Sequence, residues 1–380
     1  MEKRRGWVVG RIAGAPVLLK PSALLMVGVL TLLFVPTVRT VSPELGSQTL
    51  LGAFVVVVML MVSVFLHELA HAFAARAHGM VVQELALTLW GGHTAYTDTR
   101  STPRSSAVIA VVGPLTNVVL AALAWFAYQA HTGSSAVAML LYVTAYANAA
   151  VAIFNLLPGL PLDGGQVTES VVWAVTGSRL SGTVAAAWTG RVLAVALVAA
   201  AIAVPTLGGY RVELLVVVWA AIIGSFMWTS ATAALTQSRR RAKIDALDPR
   251  LLARPAVAVS ADVTVERARE IALAVGAEAA QVQLVLVAGP QPEAGVAAGQ
   301  PVGLVDHDAL AAVPDDAART APVWTVSVAL PTVAVVDAAL SGADLFTAVL
   351  HAAPHAPVCI LVHDGDVVGA LHATDVARSI

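Results

Sequence analysis

The sequence predicts a multi-pass α-helical membrane protein, with six transmembrane helices and a small interfacial β-sheet, followed by a C-terminal pair of α/β modules. Three observations support this fold class. The 380 residues are 58% hydrophobic and 12% charged, whereas soluble domains are about 25% charged. Six apolar stretches are long enough to cross a bilayer, which requires about 20 residues each. After Gln237 the composition becomes that of a soluble domain.

The membrane spans are predicted from these apolar stretches. The fifth is interrupted near its start by Trp188, Gly190 and Arg191. The six predicted spans are residues 21–38, 50–77, 105–130, 136–157, 182–205 and 211–235.

Basic residues predict the orientation, because cytosolic loops carry an excess of Lys and Arg. The loops on one side of the membrane carry only Arg39 and Arg211. The other side carries Lys3, Arg4, Arg5, Arg76, Arg100, Arg104, Arg179, Arg239, Arg240, Arg241 and Lys243. We therefore expect a multi-pass protein of the cell membrane, in contact with the lipid bilayer and with both termini in the cytosol.

Two segments outside the spans predict β-structure. Residues 6–22 show partial alternation, and residues 81–98 are rich in β-branched and aromatic side chains. Unpaired strand edges are not tolerated in lipid. We therefore place these strands at the interface or behind helices.

The C-terminal region, residues 238–380, is predicted to contain two similar modules, at about 244–315 and 322–380. Each pairs a short helix with strands, as in residues 263–274 followed by 281–288 and 301–310, and again in residues 341–352 followed by 356–365 and 367–377. This recurrence indicates a tandem repeat.

The sequence His67-Glu68-Leu69-Ala70-His71 lies in the second span. Histidines four residues apart on a helix lie on nearly the same face, so both imidazoles can bind one zinc ion. Glu68 is then placed to accept a proton from water. Ionisable groups at membrane depth are costly, by roughly 2.5–3.5 kcal/mol each, which makes a chance occurrence of this pattern a poor explanation.

A catalytic zinc ion needs a third protein ligand, and Asp163 is the best candidate. It ends the stretch Asn155–Asp163, which follows the fourth span on the same side of the membrane as His71. Pro158 and Pro161 break the helix and let the chain turn inward. The alternative is a loop in which Asp163 only caps a helix.

Together, these two stretches resemble the site-2 protease family of intramembrane zinc metalloproteases, in the branch with six spans and C-terminal cystathionine-β-synthase-type (CBS) domains. The resemblance implies that residues 1–237 are a transmembrane metalloprotease domain and that residues 238–380 are a cytosolic tandem CBS pair. It also implies that His67, His71 and Asp163 bind one Zn²⁺ per chain and that Glu68 is the catalytic base. The substrate would be a membrane-spanning protein cut near the cytosolic face, in regulated intramembrane proteolysis.

The resemblance also implies residues that contact substrate. Asn155 corresponds to an asparagine near the scissile carbonyl, with a substrate or oxyanion role. Gly113-Pro114-Leu115-Thr116-Asn117 matches a stretch that packs around the site, and Trp90-Gly91-Gly92 resembles a strand that pairs with unwound substrate. Alternatively, Asn117 only bonds between helices, and Gly91 and Gly92 only form a turn.

The resemblance to CBS pairs, which in other proteins often bind adenine nucleotides, implies ATP or AMP as a ligand and a homodimer formed through the CBS domains as expectations. The second module retains the acid of the usual nucleotide-binding pattern at Asp375, but it has His372 where a hydroxyl residue is typical. The first module has Ala309 in place of the acid. The two alternatives are nucleotide binding at Asp375 and a purely structural, dimerising pair.

A CBS-regulated metal transporter or channel is the alternative to the protease. Such a protein needs no glutamate beside the first histidine, and the spans lack the internal repeats typical of transporters. The net charge of −2 argues against nucleic acid as a partner. The single cysteine, Cys359, excludes an intramolecular disulfide and lies in an apolar run.

Overall fold

The structure is a computed structural model, and it describes residues 6–12, 14–88, 91–96, 101–133, 135–274, 282–288, 299–331 and 334–380. The chain divides into two compact units, Met1–Ser238 and Arg239–Ile380.

Six helices among the described residues are long and apolar enough to span a membrane, in agreement with the six predicted stretches. The helices of the first unit also include α5, a 14-residue helix that was not among the predicted elements. The helices are α1 Pro21–Val41, α2 Thr49–Ala77 (preceded by a 3-10 turn, Pro43–Gln48), α3 Pro103–Ala130, α4 Ser135–Asn155, α5 Asp163–Thr176, α6 Arg179–Leu207 and α7 Leu214–Asp245.

Four strands of the first unit form one sheet in the order β1-β2-β3-β4. The strands are β1 Trp7–Ile12, β2 Ala15–Leu19, β3 Val82–Thr88 and β4 Gly91–Tyr96. The two predicted β segments therefore join, because β2 pairs in parallel with β3, with Val17 opposite Leu85. β3 pairs antiparallel with β4, with Leu87 opposite Gly92.

The sheet is fixed to the part of α2 that carries the histidines. Val17 and Leu85 are buried in one apolar cluster with Ala72 and Ala75 of α2 and with Ile109 of α3. A buried alanine face lets the strands approach α2 closely. β4, at one end of the strand order, therefore lies beside the residues that follow His67, and this contact positions the site.

The second unit contains two sheets whose surrounding elements follow the same order. In each half, the first strand is followed by a helix and pairs in parallel with the strand after that helix. This second strand pairs antiparallel with a third strand, and a short helix follows. The first half comprises α8 Pro249–Leu252, β5 Ala256–Ser260, α9 Val265–Ala274, β6 Gln283–Val287, β7 Pro301–Val305, α10 His307–Ala312, α11 Asp315–Ala318, a 3-10 turn Val323–Val326 and β8 Ser327–Ala329. The second half comprises β9 Val335–Asp337, α12 Gly342–Ala352, β10 Val358–His363, β11 Asp366–His372 and α13 Ala373–Ser379.

Each half has its own apolar core, and a third cluster joins the two sheets. That cluster contains Val285 of β6 with Val358 and Ile360 of β10 and Ala370 of β11. Cys359 is fully buried in the core of the second half. Burial raises the pKa of its thiol to about 11, which indicates a structural rather than a reactive cysteine.

Candidate metal centre and active site

Three potential metal ligands converge from two helices. His67 and His71 lie on α2, and Asp163 is the first residue of α5. His67 Nε2 is 3.0 Å from His71 Nε2 and 3.1 Å from Asp163 Oδ2, and His71 Nε2 is 3.5 Å from the same oxygen. Zn–N and Zn–O bonds of about 2.0–2.1 Å in a tetrahedron give ligand separations of about 3.3 Å. The three distances fit such an ion.

The hydrogen bonds of the two imidazoles fix their tautomers. His71 Nδ1 donates to the Ile109 carbonyl at 2.6 Å, so its proton is on Nδ1. His67 Nδ1 lies 2.5 Å from Asn117 Oδ1, which also acts as an acceptor. Both Nε2 atoms therefore present lone pairs to the centre, as metal-binding histidines do when their other nitrogen is held by a hydrogen bond.

The shared centre consists only of electron-pair donors. Asp163 Oδ2 is buried without a hydrogen-bond partner among the described residues, which is consistent with neutral imidazoles whose protons are on Nδ1. Two lone pairs and a buried carboxylate oxygen within 3.5 Å repel one another unless a cation lies between them. Among the described residues, this is the one group of three or more His, Cys, Asp or Glu side chains close enough to hold a metal. The donor set therefore fits zinc.

Asn117 is completely buried, and its contacts fit the alternative in which it bonds between helices, while its substrate role stays a prediction. Its Oδ1 accepts from His67, and its Nδ2 donates to Asn148 Oδ1 at 2.8 Å. Asn148 in turn donates to Ser63 Oγ at 3.1 Å. Asn117 thus bonds between helices and orients His67.

Gly113, one turn before Asn117 on α3, explains how that helix approaches the ligands. A Cβ at Gly113 would lie 2.3 Å from His71 Nε2 and 2.6 Å from His67 Nε2. Only glycine leaves the space in which the two imidazoles meet.

Glu68 is held by β4. Thr94 Oγ1 lies 2.7 Å from Glu68 Oε2, to which it donates. A Cβ at Gly92 would lie 2.1 Å from Glu68 Cγ, so the side chain of Glu68 lies directly against Gly92. Gly92 and Thr94 are two residues apart and therefore lie on the same face of the strand. Thr94 was not among the predicted site residues, although its alternation with Gly92 along the strand pointed to it.

A cavity of about 810 Å³ opens beside these groups. It is lined by His67, Glu68, His71 and Asp163, by Asn155 at the end of α4, and by Gly92, His93 and Thr94 of β4. Its volume lies within the usual range for ligand sites. Asn155 and Gly92 are therefore placed together with the ligands. Gly91 begins β4 opposite Thr88, and Trp90 lies outside the described residues.

In the second unit, Asp375 already has partners. Arg254 Nη2 donates to its carboxylate at 2.8 Å, and Arg378 Nη1 lies 3.6 Å away. The hydrogen bond from Arg254 holds the pKa of Asp375 below its ordinary value. Burial and the charge of Arg254 lower the pKa of His372. A nucleotide that bound through Asp375 would have to compete with Arg254.

Comparison with known proteins identifies similar sequences. Residues 55–136 and 127–199 match Peptidase family M50, and these residues include both histidines and Asp163. The chain is 37% identical to Rip3 of Mycobacterium tuberculosis over 46% of this chain and 44% of that protein. It is 29% identical to sll0528 of Synechocystis over 63% of this chain and 62% of that protein. Both relatives bear names that describe a zinc metalloprotease.

The aligned part is thus less than two thirds of either relative's length. Among solved structures, the site-2 protease of Methanocaldococcus jannaschii has 20% sequence identity and a TM-score of 0.42, with 60% of this chain and 95% of that chain covered.

Proposed function

Because the chain belongs to peptidase family M50 through residues 55–136 and 127–199, we propose that it is a zinc-dependent intramembrane endopeptidase. Its substrates would be membrane-spanning or membrane-associated proteins, cut near the cytosolic face in regulated intramembrane proteolysis. One observation carries the proposal: two imidazole lone pairs and the Asp163 carboxylate meet beside Glu68 in a cavity bounded by β4.

Each group has a distinct role in the proposed reaction. His67, His71 and Asp163 would hold Zn²⁺, which when bound acidifies water and polarises a carbonyl group. Glu68 accepts the water proton as the peptide carbonyl is attacked and delivers it to the leaving amine. Oε2 of Glu68 is already bonded to Thr94, so Oε1 is the atom that carries the proton. The Asn155 amide donates to the developing oxyanion.

The substrate must be extended before it can be cut, because the carbonyl groups of a helix are already hydrogen-bonded. β4 stands at one end of the strand order β1-β2-β3-β4, and its Gly92 and Thr94 line the cavity. A substrate segment that adds to this strand would be held by main-chain hydrogen bonds across the site. We therefore expect faster cleavage of a span that contains Gly or Pro near the cut than of a poly-leucine span, and equal rates would contradict this part of the proposal.

The decisive variant is Glu68→Gln, which removes the base and leaves the three ligands in place. The variant protein should retain about one zinc ion per chain but lose cleavage of a reconstituted membrane substrate, by roughly 10²-fold or more. Its control is His67→Ala, which should lose both. If the protein were a metal transporter instead, Glu68→Gln should leave transport largely intact, and the wild type should not cut substrates.

For residues 239–380 we propose a cytosolic tandem CBS pair that regulates the peptidase or mediates homodimer formation. The repeated order of elements and the shared cluster around Val285 and Ile360 support this proposal. Adenine nucleotides would bind at Asp375 only when the contact with Arg254 opens. Binding of labelled ATP and AMP to the wild type and to Asp375→Asn tests nucleotide binding, and the mass of the full chain in detergent tests dimerisation.

A further inference from the structure

Arg191 is a cation inside a membrane-spanning helix, and the proposed reaction in the cavity around His67 does not use it. It lies twelve residues into α6, and it does not line that cavity among the described residues. No described carboxylate forms an ion pair with it, and its Nε is buried without a hydrogen-bond partner. An arginine at this depth costs several kcal/mol unless something compensates its charge.

The side chains around Arg191 hold the guanidinium without neutralising it. It lies 4.9 Å from the ring centre of Trp188 on α6 and 5.1 Å from that of Trp228 on α7. Arg191 Nη2 donates to Thr232 Oγ1 at 2.9 Å, and the Thr232 hydroxyl donates to the Trp228 carbonyl at 2.7 Å. Only one of the five guanidinium N–H donors therefore has a hydrogen-bond acceptor among the described residues.

This group lies on the exposed surface of two helices that are long and apolar enough to span a membrane. Trp188 is 53% exposed and Trp228 is 44% exposed on the outside of the first unit, next to the exposed Val192. Tryptophan rings are typical of the region where hydrocarbon meets headgroups. Ser238 Oγ contacts Thr183 Oγ1 at the polar end of the α6–α7 pair, and Thr232 lies six residues before Ser238. At 1.5 Å per residue, this places Thr232 about 9 Å from that end.

We propose that Arg191, Trp188, Trp228 and Thr232 form a binding site for the phosphate of an anionic phospholipid. A guanidinium group binds phosphate oxygens with two parallel hydrogen bonds, which would use Nη1 and the remaining Nη2 donor, since Nε is buried. The amphipathic indole rings would contact the glycerol and upper acyl region. The lipid comes from the leaflet nearest Ser238, within reach of an arginine side chain that extends towards the headgroups.

The site adjoins the segment that carries Asp163. Gly190 precedes Arg191, and a Cβ at Gly190 would lie 2.1 Å from the Leu160 carbonyl oxygen. The Leu160 amide donates to the Ala186 carbonyl at 3.1 Å. Leu160 also shares a buried cluster with Ala186 of α6 and Leu235 of α7. A lipid that binds across α6 and α7 therefore stabilises the packing beneath the loop that leads to Asp163.

The test is lipid binding by the full chain in neutral detergent, with native mass spectrometry as the readout. Phosphatidylglycerol should bind the wild type with a stoichiometry of about one and at least about tenfold more tightly than phosphatidylcholine, because the phosphate of phosphatidylcholine is neutralised by its own ammonium group, a second cation that repels Arg191. Arg191→Gln should lose this preference. Arg211→Gln is the matched control, because Arg211 is exposed in the connection between α6 and α7 at their other end, and it should keep the preference.

Three results would overturn the proposal: no preference for phosphatidylglycerol in the wild type, an unchanged preference in Arg191→Gln, or full displacement of the lipid by millimolar inorganic phosphate. If Arg191→Gln does not fold, a photoreactive phosphatidylglycerol provides a test on the wild type alone. Its adducts should map to the peptides that contain Trp188 or Trp228, and adducts confined to other helices would refute the site.

Discussion

Replacing Gly113 by alanine tests the geometry of the metal centre with a single methyl group. Gly113 lies inside α3, where alanine is normally preferred over glycine by about 1 kcal/mol. Helix propensity alone therefore predicts a more stable protein. The contacts predict the opposite, because the new methyl group would occupy the space in which His67 Nε2 and His71 Nε2 meet.

The size of the effect follows from the distances. The new Cβ would lie 2.3 Å from His71 Nε2 and 2.6 Å from His67 Nε2, whereas Cβ atoms in proteins essentially never lie within 3.0 Å of another heavy atom. Relief requires both rings to move, which breaks their bonds to Ile109 and Asn117. Loss of one such outer partner typically costs 10–100-fold in metal affinity. With both ligands displaced, we expect zinc binding to weaken by at least about 100-fold.

The assay is zinc content after purification at a fixed free-zinc concentration, with thermal unfolding as the second readout. Gly28→Ala is the control, because Gly28 lies inside membrane helix α1 and, among the described residues, no atom beyond its own stretch of helix lies within 4 Å of its added Cβ. The control should bind zinc like the wild type. A Gly113→Ala protein that retains full zinc content and full cleavage activity would refute the arrangement of the three ligands described above.

Three further outcomes are expected. Thr94→Val removes the donor to Glu68 Oε2 and should lower kcat by about 10-fold or more, with zinc content and KM little changed. Thr94→Ser should restore the rate, and failure of this rescue would argue for a packing role. Asp163→Ala should reduce zinc content to a small fraction of the wild-type value, and full retention would remove Asp163 from the ligand set. Cys359 should resist a maleimide at pH 8 in the folded protein and react only after unfolding. The reason is that a thiol with a pKa of about 11 is only about 0.1% ionised at that pH. Rapid labelling of the native protein would contradict the burial of Cys359.

The membrane helices were predictable because their signal is local. A run of about 20 apolar residues has few alternatives to a spanning helix, since lipid offers no partner to an open backbone. All six spans were found in this way. Helix α5 was not, because it starts within the polar and glycine-rich stretch after Leu162 and is shorter than a span. Its position depends on packing against α3 and α6.

The role of Asn117 shows where local signals end. The sequence indicates a polar side chain in an apolar helix, which fits either a contact between helices or a contact with substrate. Only the fold brings its Oδ1 to His67, fifty residues away in the chain, and buries it completely. Thr94 is similar, since its partner Glu68 lies on a helix and the pairing depends on how the sheet packs on α2.

The sequence by itself determined the spans and the pairing of His67 with His71, because both follow from the geometry of one continuous helix. The tertiary structure decided which atoms complete the site. Asp163 reaches the histidines only because α5 begins beside α2, Ile109 and Asn117 fix the tautomers from α3, and Thr94 orients Glu68 from β4. These contacts join residues far apart in the chain, so they depend on the packing of whole helices and strands and not on any local pattern.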